Sequence, residues 1–339
     1  MRVYFRCPHC AAGEFLLDQR LGVAGRYSLG AQRLICLAGA SWSYDIASAR
    51  LEEFCGLSVS DTTIRELSQR TGAEMLAWQR TQPEAVRAFR TAGGDVEFTT
   101  DGTSVNTTEG WREMKLGIFS KRQRGAPAAP EQWKTRTLPP PQVRVAFAAI
   151  EESADFGARW GAWRRRLGLT DGSGVTVLAD GAKWIWEQQR MHLRHAEGVL
   201  DVFHVLEHVA QTGRALFEET RAAMEWSAAG GDILLAQGGP GLLRYLQQTA
   251  QEVEDPSGSV PALRNYLAGH ERHLDYPTRL AEGRSIGSGQ VEGACRHMIG
   301  RRLKQSSARW RVRRVNRMAG LCSVMYSDQW TPYWDSINP

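Results

Sequence analysis

Three acidic residues have settings that would suit phosphodiester chemistry. Asp101 ends Val-Glu-Phe-Thr-Thr-Asp-Gly-Thr, Asp180 ends Val-Thr-Val-Leu-Ala-Asp-Gly-Ala, and Glu292 lies in Gly-Ser-Gly-Gln-Val-Glu-Gly. Each aspartate closes an apolar or β-branched run and precedes a glycine, which predicts a carboxylate at the end of a buried strand. Glu292 instead opens a cationic stretch containing Arg296, Arg301, Arg302, Lys304, Arg309, Arg311, Arg313, Arg314 and Arg317. An acid set among so many cations is what holding a metal beside a polyanion requires. Cleaving or transferring a phosphodiester with two metals needs carboxylates that hold two divalent ions about 3.5–4 Å apart. Magnesium or manganese takes oxygen ligands and keeps several waters, so Asp101, Asp180 and Glu292 suffice as one expected metal site. Asp-Gly alone is a common turn dipeptide, and only the ordered set carries this reading. The glycines after the two aspartates are expected to leave room for a phosphate backbone.

The elements that would position these acids follow from the pattern. Residues 95–107, 112–121 and 142–150 are β-rich, and Thr108-Glu109-Gly110 joins the first two as a hairpin. Residues 124–141, rich in Pro and Ala, are expected to form an exposed loop. An amphipathic helix over 154–167 carries Phe156, Trp160 and Trp163, a strand over 174–179 ends in Asp180, a helix opens at Lys183, and a short strand covers 198–200. Three strands, helix, strand, helix is an α/β order, that of the ribonuclease H-like fold. The chain between Asp180 and Glu292 far exceeds the loop of about 2–6 residues usual in an α/β step, so an all-helical insertion is expected there. Its breaks fall at Gly238-Gly239-Pro240 and Asp255-Pro256. The predicted organisation is a zinc-knuckle remnant and linker (1–38), a helical DNA-binding region (39–92) and the first part of the core (93–204). The helical insertion (205–284), the last part of the core with the glutamate helix (285–325) and a tail (326–339) complete it.

No apolar run approaches the roughly 20 residues of a membrane span, and no secretory apolar segment opens the chain, so a cytosolic protein with no membrane partner is expected. Net charge of +5 says little, but its concentration in the last fifth of the chain favours phosphate binding there. Arg301, Arg302 and Lys304 are the expected phosphate contacts. Cys7-Pro8-His9-Cys10 is a C-x-x-C knuckle, half of a four-ligand zinc site, so little or no zinc binding is expected of Cys7 and Cys10. Residues 43–75 predict two amphipathic helices, the first with Ile46, Ala49, Leu51 and Phe54 on its apolar stripe, the second capped by Ser60 or Asp61. This unit is either a helix-turn-helix, with Arg65 and Gln69 facing DNA bases, or a plain helical hairpin packed on the core.

The combination Asp101-Gly-Thr, Asp180-Gly-Ala-Lys-Trp-Ile-Trp, Leu200-Asp201-Val-Phe-His204 and Gly287-Ser-Gly-Gln-Val-Glu292, followed by Arg301-Arg302-Leu303-Lys304 and Trp310, resembles DDE transposases of bacterial insertion sequences. The similarity is to the ISKra-type group, with kinship to Mutator-like enzymes, and runs from Cys7 to about Trp310. The resemblance implies that the three acids bind the catalytic metals and that Asp201 and His204 lie beside the active site. It also implies binding to the terminal inverted repeats of a mobile element, cleavage at 3′ ends and joining to target DNA. A homo-oligomer on DNA, at the nucleoid of a bacterial cytoplasm, is the corresponding expectation. Two other readings are a DNA-binding protein that has lost transposition and a ribonuclease H-like nuclease or resolvase.

Overall fold

The long β-hairpin expected after Gly94 is the spine of the computed structural model, which describes residues 4–15, 18, 23, 24, 26–305 and 307–337. Ahead of it come two small antiparallel pairs, β1 (Phe5–Arg6) with β2 (Gly13–Glu14) and β3 (Val23–Ala24) with β4 (Tyr27–Ser28). Helices α1 (Leu29–Ser41), α2 (Tyr44–Cys55), α3 (Asp61–Thr81) and α4 (Glu84–Thr91) follow. Gly56 ends α2 in the left-handed conformation at φ 60°, and the Ser60 hydroxyl caps α3 by accepting from the Thr63 amide. The buried stripe of α2 differs from the expected one. Ala47 and Leu51 point inward, whereas Ile46 and Phe54 are 46% and 66% exposed. The row that packs is 47/51, one position round the helix from 46/49, because only that row meets the neighbouring helices.

Strands β5 (Asp95–Thr107) and β6 (Gly110–Arg122) pair from Asp95↔Arg122 to Thr107↔Gly110, around the two-residue loop Thr108-Glu109. Gly110, at φ 96°, supplies the backbone conformation this turn needs. Next come β7 (Val143–Ala149), α5 (Ser153–Arg166), β8 (Thr176–Ala179), α6 (Lys183–His192) and β9 (Glu197–Leu200). The five-stranded sheet has the order β7-β6-β5-β8-β9, antiparallel across β7, β6 and β5 and parallel across β5, β8 and β9. The molecule is therefore mixed α/β. Alternation along β5 and β6 sends Phe98 and Phe119 to one face, where Phe147 and the α5 side chains Phe156, Trp160 and Trp163 meet them. Met114, Leu116 and Ile118 go to the other face.

Between β9 and Glu292 the regular elements are helical: α7 (Val202–Leu216), α8 (Thr220–Glu252), α9 (Ser259–Ala268) and α10 (Tyr276–Ala281), with one 3₁₀ turn at Glu271–His273. Helix α8 is kinked where Gly238 takes φ 65° ahead of Pro240. Leu234, Leu242, Val260, Leu267 and Tyr276 join the same apolar cluster as Phe98 and Trp160, and the Tyr276 hydroxyl donates to the Leu200 carbonyl at 2.8 Å. The loop over 124–141 is not simply exposed. Its Gly125 and Ala128 amides donate to the carbonyls of Gly283 and Leu280, and Trp133 lies 5.3 Å from the Phe203 ring. Backbone groups brought against a surface need partners, and the end of α10 with the turn after it supplies them.

Helix α11 (Gly289–Ala294) runs through a π-helical turn (Cys295–Gly300) into a last helical turn (Arg301–Leu303). After it, Trp310 exchanges backbone hydrogen bonds with the hairpin tip at Asn106 and Thr108. Helices α12 (Val312–Tyr326) and α13 (Trp330–Ser336) close the chain. Helix α12 lies so near α3 that a Cβ on Gly72 would collide with the Arg317 carbonyl. Among the described residues no helix is long and apolar enough to cross a membrane.

Candidate active site

The sheet register places the first two acids side by side. In the β5/β8 ladder Thr99 pairs with Leu178, so Asp101 and Asp180 stand at equivalent positions two steps further on. In the β8/β9 ladder Ala179 pairs with Leu200, and the next positions are Asp180 and Asp201. Three aspartates thus stand side by side across three neighbouring parallel strands, Asp180 and Asp201 just past the carboxyl ends of β8 and β9, where open α/β sheets bind ligands, and Asp101 midway along the longer β5 rather than at its end as expected. Glu292 arrives on α11, and the turn after it brings the Cys295 thiol within 3.8 Å of Asp101 Oδ2. Asp101, Asp180, Asp201, His204 and Glu292 all line one cavity of about 350 Å³. Glu207 and Ser288, which the sequence reading passed over, line it too. Glu207 is three residues after His204 on α7, a spacing that places it on the same helical face and makes it readable in principle.

Local hydrogen bonds fix each carboxylate. Asp101 Oδ1 accepts from the Gly102 amide at 2.6 Å, and Asp180 Oδ1 accepts from the Ala182 amide at 3.0 Å in an Asx turn. Asp201, 2% exposed, is the N-cap of α7: its Oδ1 accepts from the His204 amide at 3.0 Å. Its Oδ2 accepts from both the amide and the hydroxyl of Ser288. That carboxylate therefore anchors the loop from which α11 and Glu292 start. His204 Nε2 lies 3.2 Å from His208 Nε2, one helical turn on.

Burial, then the charges of Asp180 and Glu292, raise the Asp101 carboxyl above its ordinary range, against the Gly102 amide and the Cys295 thiol. Glu292 is likewise raised by burial and then by Asp201, with Arg296 opposing. Acids held against their own repulsion are relieved by a cation among them. The donor set is all hard oxygen on this wall of the cavity, which fits magnesium or manganese. No three His, Cys, Asp or Glu side chains among the described residues already close round a single point. Tyr266 is missed by the sequence reading as well. Its hydroxyl is buried against Gly181 without a hydrogen-bond partner among the described residues, and burial and the charges of Asp180 and Asp201 keep it protonated.

Two expectations about access are corrected. The space a side chain would need at Gly102 is filled by Glu113, and that at Gly181 by Tyr266, so neither glycine leaves a gap for a phosphate backbone. Beside the acids it is Gly289 and Gly293, on either side of Glu292, that are open: apart from their chain neighbours and their own helix backbone, no heavy atom of the described residues lies within 4 Å of where a Cβ would stand. The expected phosphate contacts also divide. Arg301 and Lys304 are exposed, and Lys304 donates to the Thr103 hydroxyl, two residues past Asp101 on β5. Arg302, only 3% exposed, turns inward: its Nε donates to the Gly39 carbonyl at 2.6 Å and its guanidinium lies over the rings of Tyr44 and Trp310. Successive helical residues point about 100° apart, which separates Arg301 from Arg302.

Arg65 and Gln69 stand away from the acids. Gln69 is buried, with Nε2 donating to the Arg314 carbonyl at 3.1 Å, so its amide is not displayed on an open recognition face. It is held at the α3/α12 crossing. Arg65, partly exposed, lies 3.8 Å from Glu66. Cys7 and Cys10 sit in the β1/β2 turn, where backbone hydrogen bonds from Cys10 and His9 lower the Cys7 thiol.

Comparison of the chain with protein-family models and with curated proteins finds no match. The functional reading therefore rests on the cavity: clustered carboxylates with Arg296 set against Glu292 and Lys304 bonded to Thr103, two residues past Asp101. Such a site can bind divalent ions on its acids and a phosphate chain on its rim.

Proposed function

We propose that the protein is a DDE-type DNA transposase built on a ribonuclease H-like core, binding the ends of a bacterial insertion sequence and moving it by strand cleavage and transfer. The observation that carries this reading is that Asp101, Asp180 and Glu292, remote in the chain, line one cavity, beside the carboxyl ends of β8 and β9 and the middle of β5. Magnesium or manganese held by these three carboxylates would supply the Lewis acidity for hydrolysis and transesterification at phosphorus. The chain's own residues prepare the rest. Asp201 fixes the loop before α11 and so the placement of Glu292; Lys304 and Arg301 offer positive charge to a phosphate arriving past Gly289 and Gly293. Cleavage by water releases a 3′ hydroxyl, and that hydroxyl then displaces a bridging oxygen of the target strand, so each step breaks one P–O bond and forms one. Pairing of two element ends calls for a homo-oligomer on DNA. The test is a duplex bearing the inverted repeats that flank the gene. Asp180→Asn is expected to bind it as tightly as the native protein and to lose magnesium- or manganese-dependent cleavage by at least a hundredfold, on the scale of losing a catalytic electrostatic group. Cleavage retained in that variant overturns the assignment.

A further inference from the structure

Helix α7 carries two imidazoles on one face, a single turn apart. His204 Nε2 and His208 Nε2 stand 3.2 Å from each other. Two nitrogens bound to one tetrahedral zinc at about 2.0–2.1 Å lie about 3.3 Å apart, so the pair already has the spacing of a chelate. Both rings are half-buried, and His204 lines the acidic cavity, which gives an ion a way in. Imidazole is mostly neutral at pH 7 and offers its lone pair there. The Tyr266 ring packs against both imidazoles from α9, at 4.7 Å from His208 and 6.4 Å from His204, and so holds them in place. A third donor is at hand in Glu207. Its side chain is exposed, lines the same cavity, and is close enough for its charge to act on His208. Two of three ligands are thus in position, and Glu207 has only to turn about its own side-chain bonds. This donor set differs in kind from the three acids: imidazole suits zinc, copper or nickel, whereas magnesium and manganese prefer oxygen alone.

We infer that His204, Glu207 and His208 hold a zinc-class transition ion, with water completing its shell, beside the oxygen site of Asp101, Asp180 and Glu292. The inference rests on ring geometry and not on the transposase reading, and no DNA enters its test. The untagged full chain, carrying Cys7→Ser and Cys10→Ser so that the knuckle takes no ion, is stripped with a chelator and titrated with zinc chloride in excess magnesium. One zinc per chain is expected, with an X-ray absorption spectrum of two imidazoles and oxygen. Adding His208→Gln should lower zinc affinity by at least about tenfold, the loss that even an outer-shell partner of a metal ligand can cause, and Glu207→Gln severalfold. Adding Asp101→Asn should leave it unchanged. A chain that binds no zinc in excess magnesium has a hydrogen bond between His204 and His208 and nothing more, which overturns the site. Sulfur in the zinc shell overturns it too, by placing the ion on Cys295 beside Asp101. So does an affinity lost with Asp101→Asn and kept with His208→Gln, which places it on the acids. Should His208→Gln melt below its parent without zinc, the absorption spectrum of the parent decides between the same outcomes.

Discussion

At the scale of single residues the acidic cavity trades stability for a cluster of negative charge. Burial and neighbouring carboxylates raise Asp101, so the fold disfavours its ionised form. The sign follows from linkage: a carboxyl raised in the folded state penalises folding above its folded pKa, and the penalty fades as pH falls through it. Asp101→Asn keeps an oxygen for the Gly102 amide and removes the charge. In metal-free buffer this variant should melt above the native protein at neutral pH, with the gap closing as pH drops through the carboxylate range. A variant that melts lower at neutral pH would show that Asp101 is stabilised by its surroundings. Residue identity was the most legible level of this chain. Asp101 and Asp180 could be read because each follows its hydrophobic run at the same offset, and equal offsets in paired parallel strands become neighbours. The orphaned Tyr266 hydroxyl could not, because nothing local to Tyr266 indicates that Gly181 packs beneath it.

Elements were legible in kind and less so in facing. Helix periodicity located α2 and α3, and capping chemistry narrowed the start of α3 to Ser60 or Asp61, of which Ser60 is the cap. Which row of α2 turns inward is decided by helices distant in the sequence, so Ile46 and Phe54 were assigned to the wrong side. The same dependence hid the burial of Gln69, which packs where α3 meets α12. That crossing gives an element-level prediction. Gly72→Ala should destabilise the protein by about 1–3 kcal/mol through overpacking against the Arg317 backbone. Gly289→Ala, on a helix with open space at that position, serves as the control and should be neutral or stabilise by up to about 1 kcal/mol, checked by urea denaturation of both. Equal effects would mean that the two helices are free to move apart.

Across the whole molecule the helical stretch between β9 and Glu292 was expected as an insertion, and its length gave it away. Its packing was not readable. Leu234, Leu242 and Leu267 belong to one apolar cluster with the sheet residues Phe98 and Val177. A shared core predicts shared unfolding: Phe98→Ala should cost about 3–5 kcal/mol and lower the melting of sheet and helices together, in one calorimetric transition. Two separated transitions would mean that the helices hold a core of their own.

Strand β5 runs from the acidic cavity to the hairpin tip: Asp101 is on it, Lys304 grips Thr103, and Trp310 is bridged to Thr107 at its far end. A strand rises about 3.4 Å per residue, so Asp101 and Thr107 stand about 20 Å apart. On the DNA proposed as substrate, where stacked nucleotides repeat at about 3.4 Å along one strand, that distance is about six nucleotides. The hairpin is thus a ruler, stiffened by thirteen paired positions from Asp95↔Arg122 to Thr107↔Gly110. Inserting two residues into each strand between Asp101 and Thr107 keeps every side chain on its face and moves the tip by about 7 Å. The far limit of the DNA stretch protected from nuclease should then move by about two nucleotides relative to the cut, and a limit that stayed at its old distance would show that the measure is taken elsewhere.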